Sequence, residues 1–138
     1  MLFRSYTKPS IQFNPIDSIM NNLIKKESAG VHTNPDGTLL TNPKTGARGI
    51  AQIMPNSGKD PGFGIKPLQN DTKEEHLRFA RDYLTTMYNR YSGDMEKTLA
   101  SYNWGVGNTD RIIKKYPDNW KSKLPNETKD YIKKILGN

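Results

Sequence analysis

The stretch NPIDSIMNNLIKKESAG, residues 14–30, predicts the first helix of the fold and puts an acidic side chain on its apolar side. Its opening Asn-Pro pair is typical of a helix start, because an Asn side chain accepts a free backbone N–H and proline fits the first helical position. Ile16, Met20 and Leu23 follow at helical spacing. Glu27 lies about three turns after Ile16, at roughly 3.6 residues per turn, and therefore shares that apolar face.

A carboxylate in this position has two explanations. Desolvation by apolar neighbours and the negative end of the helix dipole both raise the pKa of Glu27, which is what a general acid for glycosidic cleavage needs. The alternative is a helix-end glutamate whose carboxylate lies in solvent. Periodicity alone favours the second explanation, because most helix-end carboxylates are solvated.

The remaining pattern predicts a mostly α protein. A capping box from Thr72 to Glu75 opens the clearest helix, which Gly93 closes, and Asp94 caps the next one. The apolar run ARGIAQIMP ends at a proline, and the following NSGKDPGFGIKP is typical of a loop. We predict a single domain of about six helices over residues 14–138, preceded by an irregular arm over residues 1–13. The individually assigned helices are 16–27, 72–93, one from 94 into SYNWGVGN, 109–116 and 126–136, and the turn Asp36-Gly37 allows one small hairpin.

Composition excludes several classes of function. The 138-residue chain has no Cys and two His, so a thiolate metal site is excluded and a His-based one is not supported; we predict no metal and no cofactor. P-loop, dinucleotide-binding and nucleic-acid-binding motifs are absent, so no specific nucleic-acid partner is expected. The formal charge of +7 attracts anionic partners in general. No apolar run is long enough to span a membrane, and residues 1–15 show no secretory signal.

Four segments occur in a fixed order along the chain: ESAG from residue 27, GARGIAQIMP from 46, SYNWGVGN from 101 and LPNETKDYI from 124. Together they resemble the four motifs of the soluble lytic transglycosylases, in the lysozyme-like superfamily, over residues 14–137. DPGFGIKP and NPDGTLLTNPKTGARG are most similar to the versions carried by tailed-phage virion proteins. The resemblance implies an α+β lysozyme-like fold and a peptidoglycan substrate. It also implies action in the bacterial cell wall or periplasm, with delivery as a virion component, alongside other virion proteins, as one route.

The first two motifs supply the catalytic acid and the floor of a sugar cleft, if the resemblance holds. Glu27 matches the single catalytic acid and base, and Ser28 matches its helix-ending partner. Gly49, Gln52 and Met54 match the strip that lines the cleft.

The last two motifs supply the cleft walls. Tyr102 matches a tyrosine whose hydroxyl is expected to bond to the catalytic carboxyl, and Asn103 matches a substrate-holding residue. Trp104 replaces the small residue common in the family, and it is either a stacking platform for a sugar or part of the core. Glu127 and Tyr131 match the motif that closes the cleft from the other side.

The mechanism implied by the resemblance needs one carboxylic acid. Glu27 protonates the bond between N-acetylmuramic acid (MurNAc) and N-acetylglucosamine (GlcNAc), and a 1,6-anhydro product forms without water. The sequence shows no obvious second carboxylate near the motifs, although Asp36, Asp60 or Asp71 could position a water. A hydrolytic muramidase is therefore the second hypothesis. A non-catalytic glycan-binding or virion delivery module is the third. Nothing in the sequence requires a partner subunit, so we expect a monomer.

Overall fold

The computed structural model describes residues 14–137 of the chain, and the predicted arm over residues 1–13 lies outside them. The described part is mostly helical, as predicted, with six α-helices and one short 3-10 helix. The α-helices are α1 (Pro15–Ser28), α2 (Pro55–Lys59), α3 (Lys73–Arg90), α4 (Met95–Trp104), α5 (Val106–Lys115) and α6 (Asn126–Leu136), and the 3-10 helix covers Trp120–Lys123. Within this part of the chain, no helix combines the length and apolar character needed to cross a membrane.

Helix α1 forms for the reasons that its sequence suggests. The Asn14 side chain accepts a hydrogen bond from the Ile16 amide at 3.0 Å, and Pro15 occupies the first helical position. One face is buried, whereas Lys25 and Lys26 are exposed. The left-handed residue Ala29 ends the helix, and its amide bonds back to the Lys25 carbonyl. Glu27 is thereby fixed in the last turn.

Three helix boundaries differ from the sequence prediction. Helix α3 ends at Arg90 rather than at Gly93. The segment NSGKDPGFGIKP is not a loop throughout, because Pro55 starts the short helix α2, in the first helical position where its missing N–H costs nothing. Helix α5 begins at Val106, three residues before the predicted start at Thr109. Gly105, with φ of 100°, turns the chain sharply between α4 and α5, so the weak helix formers after it are already helical.

The predicted hairpin is present only as isolated bridges. Thr33 pairs with Leu39 around the Asp36-Gly37 turn, and Arg48 pairs with both Thr41 and Ile53, but no continuous ladder forms among the described residues. Side-chain bonds replace the ladder: Asp36 accepts from the Thr38 amide at 3.0 Å. This small β region lies between α1 and α2 in the chain and supplies part of the site described below.

The core lies among α1, α3, α4 and α6. Helix α1 packs against α3 and α6, and α4 packs against α3, α5 and α6. Leu23, Leu84 and Leu99 are fully buried at the centre of this arrangement, and Ile135 brings in α6. Because burial of such side chains dominates folding energetics, the packing fixes the end of α1 relative to α4 and α6.

Candidate active site

Glu27 is half-buried at the end of α1, and its environment changes its acidity. Burial raises the pKa of the Glu27 carboxyl from 4.5 to about 7, and the negative charge of Glu127 adds to that effect. Lys26 and the Tyr131 hydroxyl oppose it. The raised pKa favours the protonated carboxyl near neutral pH, which is the form that can donate a proton.

Tyr131 is the tyrosine whose hydroxyl affects this carboxyl most directly. Its side chain comes from α6 and is 2% exposed. Burial raises its own pKa well above the ordinary value, and the nearby Glu27 adds to the effect. The hydroxyl is close enough to influence Glu27, but it has no partner at full hydrogen-bond geometry within residues 14–137. It can therefore form a bond with the carboxyl or with a ligand after a small movement.

Tyr102 does not make the bond that the sequence predicts for it. Its hydroxyl donates to the Ala51 carbonyl at 2.7 Å. A phenol has one proton to donate, so Tyr102 does not simultaneously donate to Glu27. The bond instead ties α4 to the segment containing Gln52. Glu27 still lies close enough for its charge to raise the pKa of Tyr102, although burial is the larger cause.

A tight turn over residues 47–54 lies beside Glu27. Gln52 has a φ of 50°, which is uncommon for a residue with a side chain, and its Nε2 donates to the Gly49 carbonyl at 2.9 Å. Such strained backbone is found preferentially at functional sites. Met54 follows with 43% of its surface exposed. The turn therefore presents one polar and one apolar side chain to the same region.

Two histidines support this turn, a role that the sequence analysis missed. His32 Nδ1 accepts from the Ile50 amide at 3.0 Å, so its Nε2 carries the proton and donates to the Asp71 carbonyl at 2.7 Å. His76 is fully buried, and its Nε2 lies 3.0 Å from the Asp71 carboxylate. Burial lowers the pKa of His76. The histidines are 44 residues apart in sequence, and no spacing rule would have paired them.

Two hollows lie next to each other in the site. The first has a volume of about 510 Å³ and is bordered by Glu27, Ser28 and residues 40–44. The second has a volume of about 360 Å³ and is bordered by residues that include Tyr102, Asn103 and Trp104. Gln52 borders both hollows. We call the two together the groove. Its walls combine polar side chains such as Gln52 and Asn103 with the apolar surfaces of Met54 and Trp104.

The other predicted site residues have distinct positions in the groove. Asn103 accepts a bond from buried Thr128 at 2.8 Å through its oxygen, which leaves its amide nitrogen for a ligand. Trp104 packs against the core and is half-buried on the wall of the groove, and its stacking on a sugar stays a prediction. Ser28 donates to the Ile24 carbonyl at 3.1 Å and accepts from the Gly30 amide, which is a helix-ending role.

Glu127 is a second carboxylate near Glu27, and the sequence analysis did not predict that the two lie close together. It is exposed on α6, and its charge acts on Glu27. Asp36, Asp60 and Asp71, the three candidates named from sequence, are not among the groups that shift the pKa of Glu27. Glu127 belongs to the motif LPNETKDYI, but only the packing of α6 against α1 shows that it acts on Glu27. No cluster of three metal-ligating side chains occurs in the described chain.

Comparison with known proteins gives a consistent result. A family model described as the Transglycosylase SLT domain matches residues 7–125. The chain is 34% identical over 100 residues to the membrane-bound lytic murein transglycosylase D of Escherichia coli K12, a match that covers 65% of this chain and 22% of that protein. The same protein from Escherichia coli O6:H1 matches equally well. The chain thus spans about a fifth of the length of these relatives.

Two solved structures share the fold. The 70 kDa soluble lytic transglycosylase from Escherichia coli aligns with a TM-score of 0.69 at 22% identity, over 91% of this chain and 21% of that one. An inactive mutant of the lytic transglycosylase Slt from Pseudomonas aeruginosa aligns with a TM-score of 0.62 at 22% identity, over 86% and 20%. The family match ends before α6, so the positions of Glu127 and Tyr131 rest on the geometry of this chain.

Proposed function

The chain belongs to the Transglycosylase SLT domain family, and from that membership we propose that it is a peptidoglycan lytic transglycosylase. It cleaves the bond between MurNAc and GlcNAc in glycan strands and leaves a 1,6-anhydroMurNAc end. The observation that carries the proposal is the position of Glu27 at the edge of the groove, half-buried at the end of α1, where burial raises the pKa of its carboxyl to about 7. A carboxylic acid that is protonated near neutral pH can act first as an acid and then as a base.

The reaction needs no second carboxylate and no cofactor. Protonated Glu27 donates its proton to the glycosidic oxygen as the bond from that oxygen to C1 of MurNAc breaks. The acetamido group of the substrate stabilises the positive charge that develops at C1. Ionised Glu27 then takes the proton of the C6 hydroxyl, and the C6 oxygen bonds to C1. The proton count on Glu27 is restored and no water is consumed.

Tyr131 of α6 and residues of the groove supply the supporting roles. Tyr131 has a buried hydroxyl beside the carboxyl, where it can steady the ionised form. Gln52 and Asn103 offer amide groups to sugar hydroxyl and acetamido groups, while Met54 and Trp104 offer apolar surface to sugar rings. We assign Tyr102 and Ser28 positioning roles, because their hydroxyls bond to backbone.

One observation favours the muramidase as the second candidate. Glu127 brings a second carboxylate within electrostatic reach of Glu27, and a hydrolase needs a group that can orient water. The two reactions differ in their products by one molecule of water. A hydrolase would leave a reducing end, whereas the transglycosylase leaves an anhydro end.

The test is a digest of purified peptidoglycan with the products resolved by mass spectrometry. We expect muropeptides ending in 1,6-anhydroMurNAc from the wild type and none from Glu27→Gln, because glutamine keeps the shape but has no proton to donate. Glu74→Gln, at an exposed position on α3, is the matched control and should cleave like the wild type. Products one water heavier would establish the muramidase.

A digest without products on several wall types would instead favour the non-catalytic binding or delivery module. Cleavage by Glu27→Gln at near wild-type rates would overturn the assignment of the acid.

We further propose that the protein acts in the bacterial cell wall, as a monomer, and that it opens peptidoglycan locally as part of a virion. The resemblance of DPGFGIKP and NPDGTLLTNPKTGARG to the tailed-phage versions supports this role. Binding to other virion proteins in a pull-down from infected cells would test it, and sedimentation would test the oligomeric state.

A further inference from the structure

A third hollow lies on the far side of Met54 from the groove. It has a volume of about 390 Å³, and Ile53 and Met54 border both this hollow and the groove. We call it the side pocket, and its rim includes Arg48, Lys59 and Asp71. Because Ile53 and Met54 border both hollows and the Met54 side chain is exposed and flexible, a branch of a ligand in the groove can extend past Met54 towards the side pocket.

The rim of the side pocket has more positive than negative charge. Asp71 is satisfied on both oxygens, one at 2.8 Å from the Arg48 guanidinium and the other at 3.0 Å from His76 Nε2. Arg48 uses one of its five N–H donors in this way, and 40% of its side chain is exposed. Lys59 is exposed and forms no ion pair among residues 14–137. The rim therefore carries two cationic side chains, Arg48 and Lys59, and one carboxylate, Asp71, which is already paired.

The floor of the side pocket is apolar and close-packed. Ile53, Pro55 and Leu68 contribute to it, and Gly58 lies where a side chain would press on Ile53 and Leu68 at 3.3 to 3.5 Å. Gln69 and Asn70 add polar groups at the edge. The combination suits a short chain of small residues with backbone amides and free carboxylates.

We propose that the side pocket binds the peptide stem of the glycan strand whose sugars occupy the groove. This inference rests on the proposed function. Each peptide stem is attached to the lactyl group of a muramic acid, carries small apolar residues and has several carboxylates. The Arg48 guanidinium offers a planar pair of donors that matches a carboxylate, and Lys59 offers a second, mobile cation. The chain would then discriminate stem-bearing strands from stem-free ones.

The experiment measures binding separately from cleavage. Glu27→Gln is titrated calorimetrically with glycan fragments that carry their stems and with the same fragments after an amidase has removed them. We expect the stem-bearing fragments to bind at least about fivefold more tightly, in the range of one or two charge-assisted contacts. Lys59→Glu in the same background should lose about fivefold for stem-bearing fragments and nothing for stem-free ones.

Two further variants make the result specific. Lys114→Glu, on α5, makes the same change of charge at an exposed site that does not border the side pocket, and it should bind like the parent. Arg48→Lys keeps the charge but loses the planar donor pair, so it should weaken binding of stem-bearing fragments only.

Equal affinity for both kinds of fragment, or a loss from Lys59→Glu that is the same for both, would overturn the proposal. Stem-selective binding in a protein whose wild type yields no cleavage products would keep the side-pocket assignment and reject the enzyme. Cleavage by a protein that binds both kinds of fragment equally would keep the proposed enzyme activity and reject the side-pocket assignment.

Discussion

The pKa of Glu27 is raised because α1 and α6 meet around its carboxyl. Helix α1 carries it into a half-buried position, and α6 brings Tyr131 and Glu127 towards it. Burial and the charge of Glu127 favour the protonated form, whereas Tyr131 favours the ionised form. The pKa of about 7 is the balance of these effects, and it should be visible in the pH dependence of cleavage.

We predict that cleavage falls as pH rises through about 7, because Glu27 must be protonated to donate. Glu127→Gln removes a negative charge that disfavours ionisation of Glu27, so the pKa of Glu27 falls. The descending limb of the pH profile should therefore move to lower pH, by a few tenths of a unit at low salt. The measurement is a profile of kcat against pH at two ionic strengths.

Glu74→Gln is the control and should leave the limb in place. If the descending limb of the pH profile did not move in Glu127→Gln at low salt, the carboxylates of Glu27 and Glu127 would not interact.

At the scale of elements, the turn over residues 47–54 depends on one glycine. Gly49 has a φ of 74°, and a side chain there would overlap the buried His76 ring and press on His32 at 2.9 Å. The histidines in turn hold the Ile50 amide and Asp71. The position of Gln52 in the groove is thus set by packing behind the turn.

We predict that Gly49→Ala destabilises the protein by about 2–4 kcal/mol, because it adds steric overlap to backbone strain. Gly46→Ala is the matched control: its φ is 79°, but a side chain there meets nothing within 4 Å, so strain alone should cost about 1 kcal/mol. Urea denaturation of both variants gives the comparison. Equal losses would show that the His76 contact contributes nothing.

The same elements show what sequence can and cannot predict. Capping residues and periodicity gave α1, α3, α4 and α6 closely, because those signals are local. The bond of Tyr102 was predicted wrongly, since its direction depends on the Ala51 carbonyl 51 positions earlier. The loop prediction for NSGKDPGFGIKP is wrong at its start, because proline fits both the end of one segment and the start of a helix. No short sequence pattern predicts the side pocket or the support of the turn by His32 and His76.

At the scale of the whole molecule, the site is located where the first and last described helices pack together. Asn22 in α1 donates to the Ile135 carbonyl in α6 at 3.0 Å, across 113 residues of chain. The same contact between helices shields Glu27 from water. A carboxylate that the fold buries is a cost to stability whenever it is charged.

We predict that Glu27→Gln makes the protein more stable at high pH. The pKa of Glu27 rises on folding from 4.5 to about 7, so the folded state binds more protons between these values and stability falls as pH rises through that window. Above it, the charged carboxylate costs about 3 kcal/mol that glutamine avoids. Well below pH 4.5, where Glu27 is neutral in both states, the two proteins should be equally stable.

Urea denaturation at pH 8 and at pH 4 measures the difference, and Glu74→Gln should show none. A gain that is the same at both pH values would mean that the charge of Glu27 is not its source.

The packing of α6 against α1 also orders events during synthesis. A ribosome completes Glu27 long before Tyr131, and at 5 to 20 residues per second the interval is roughly 5 to 20 s. Until α6 is complete, neither Glu127 nor Tyr131 can act on the Glu27 carboxyl, and α1 lacks one of the helices that pack against it. We therefore expect the Glu27 carboxyl to reach its raised pKa only when α6 docks on α1.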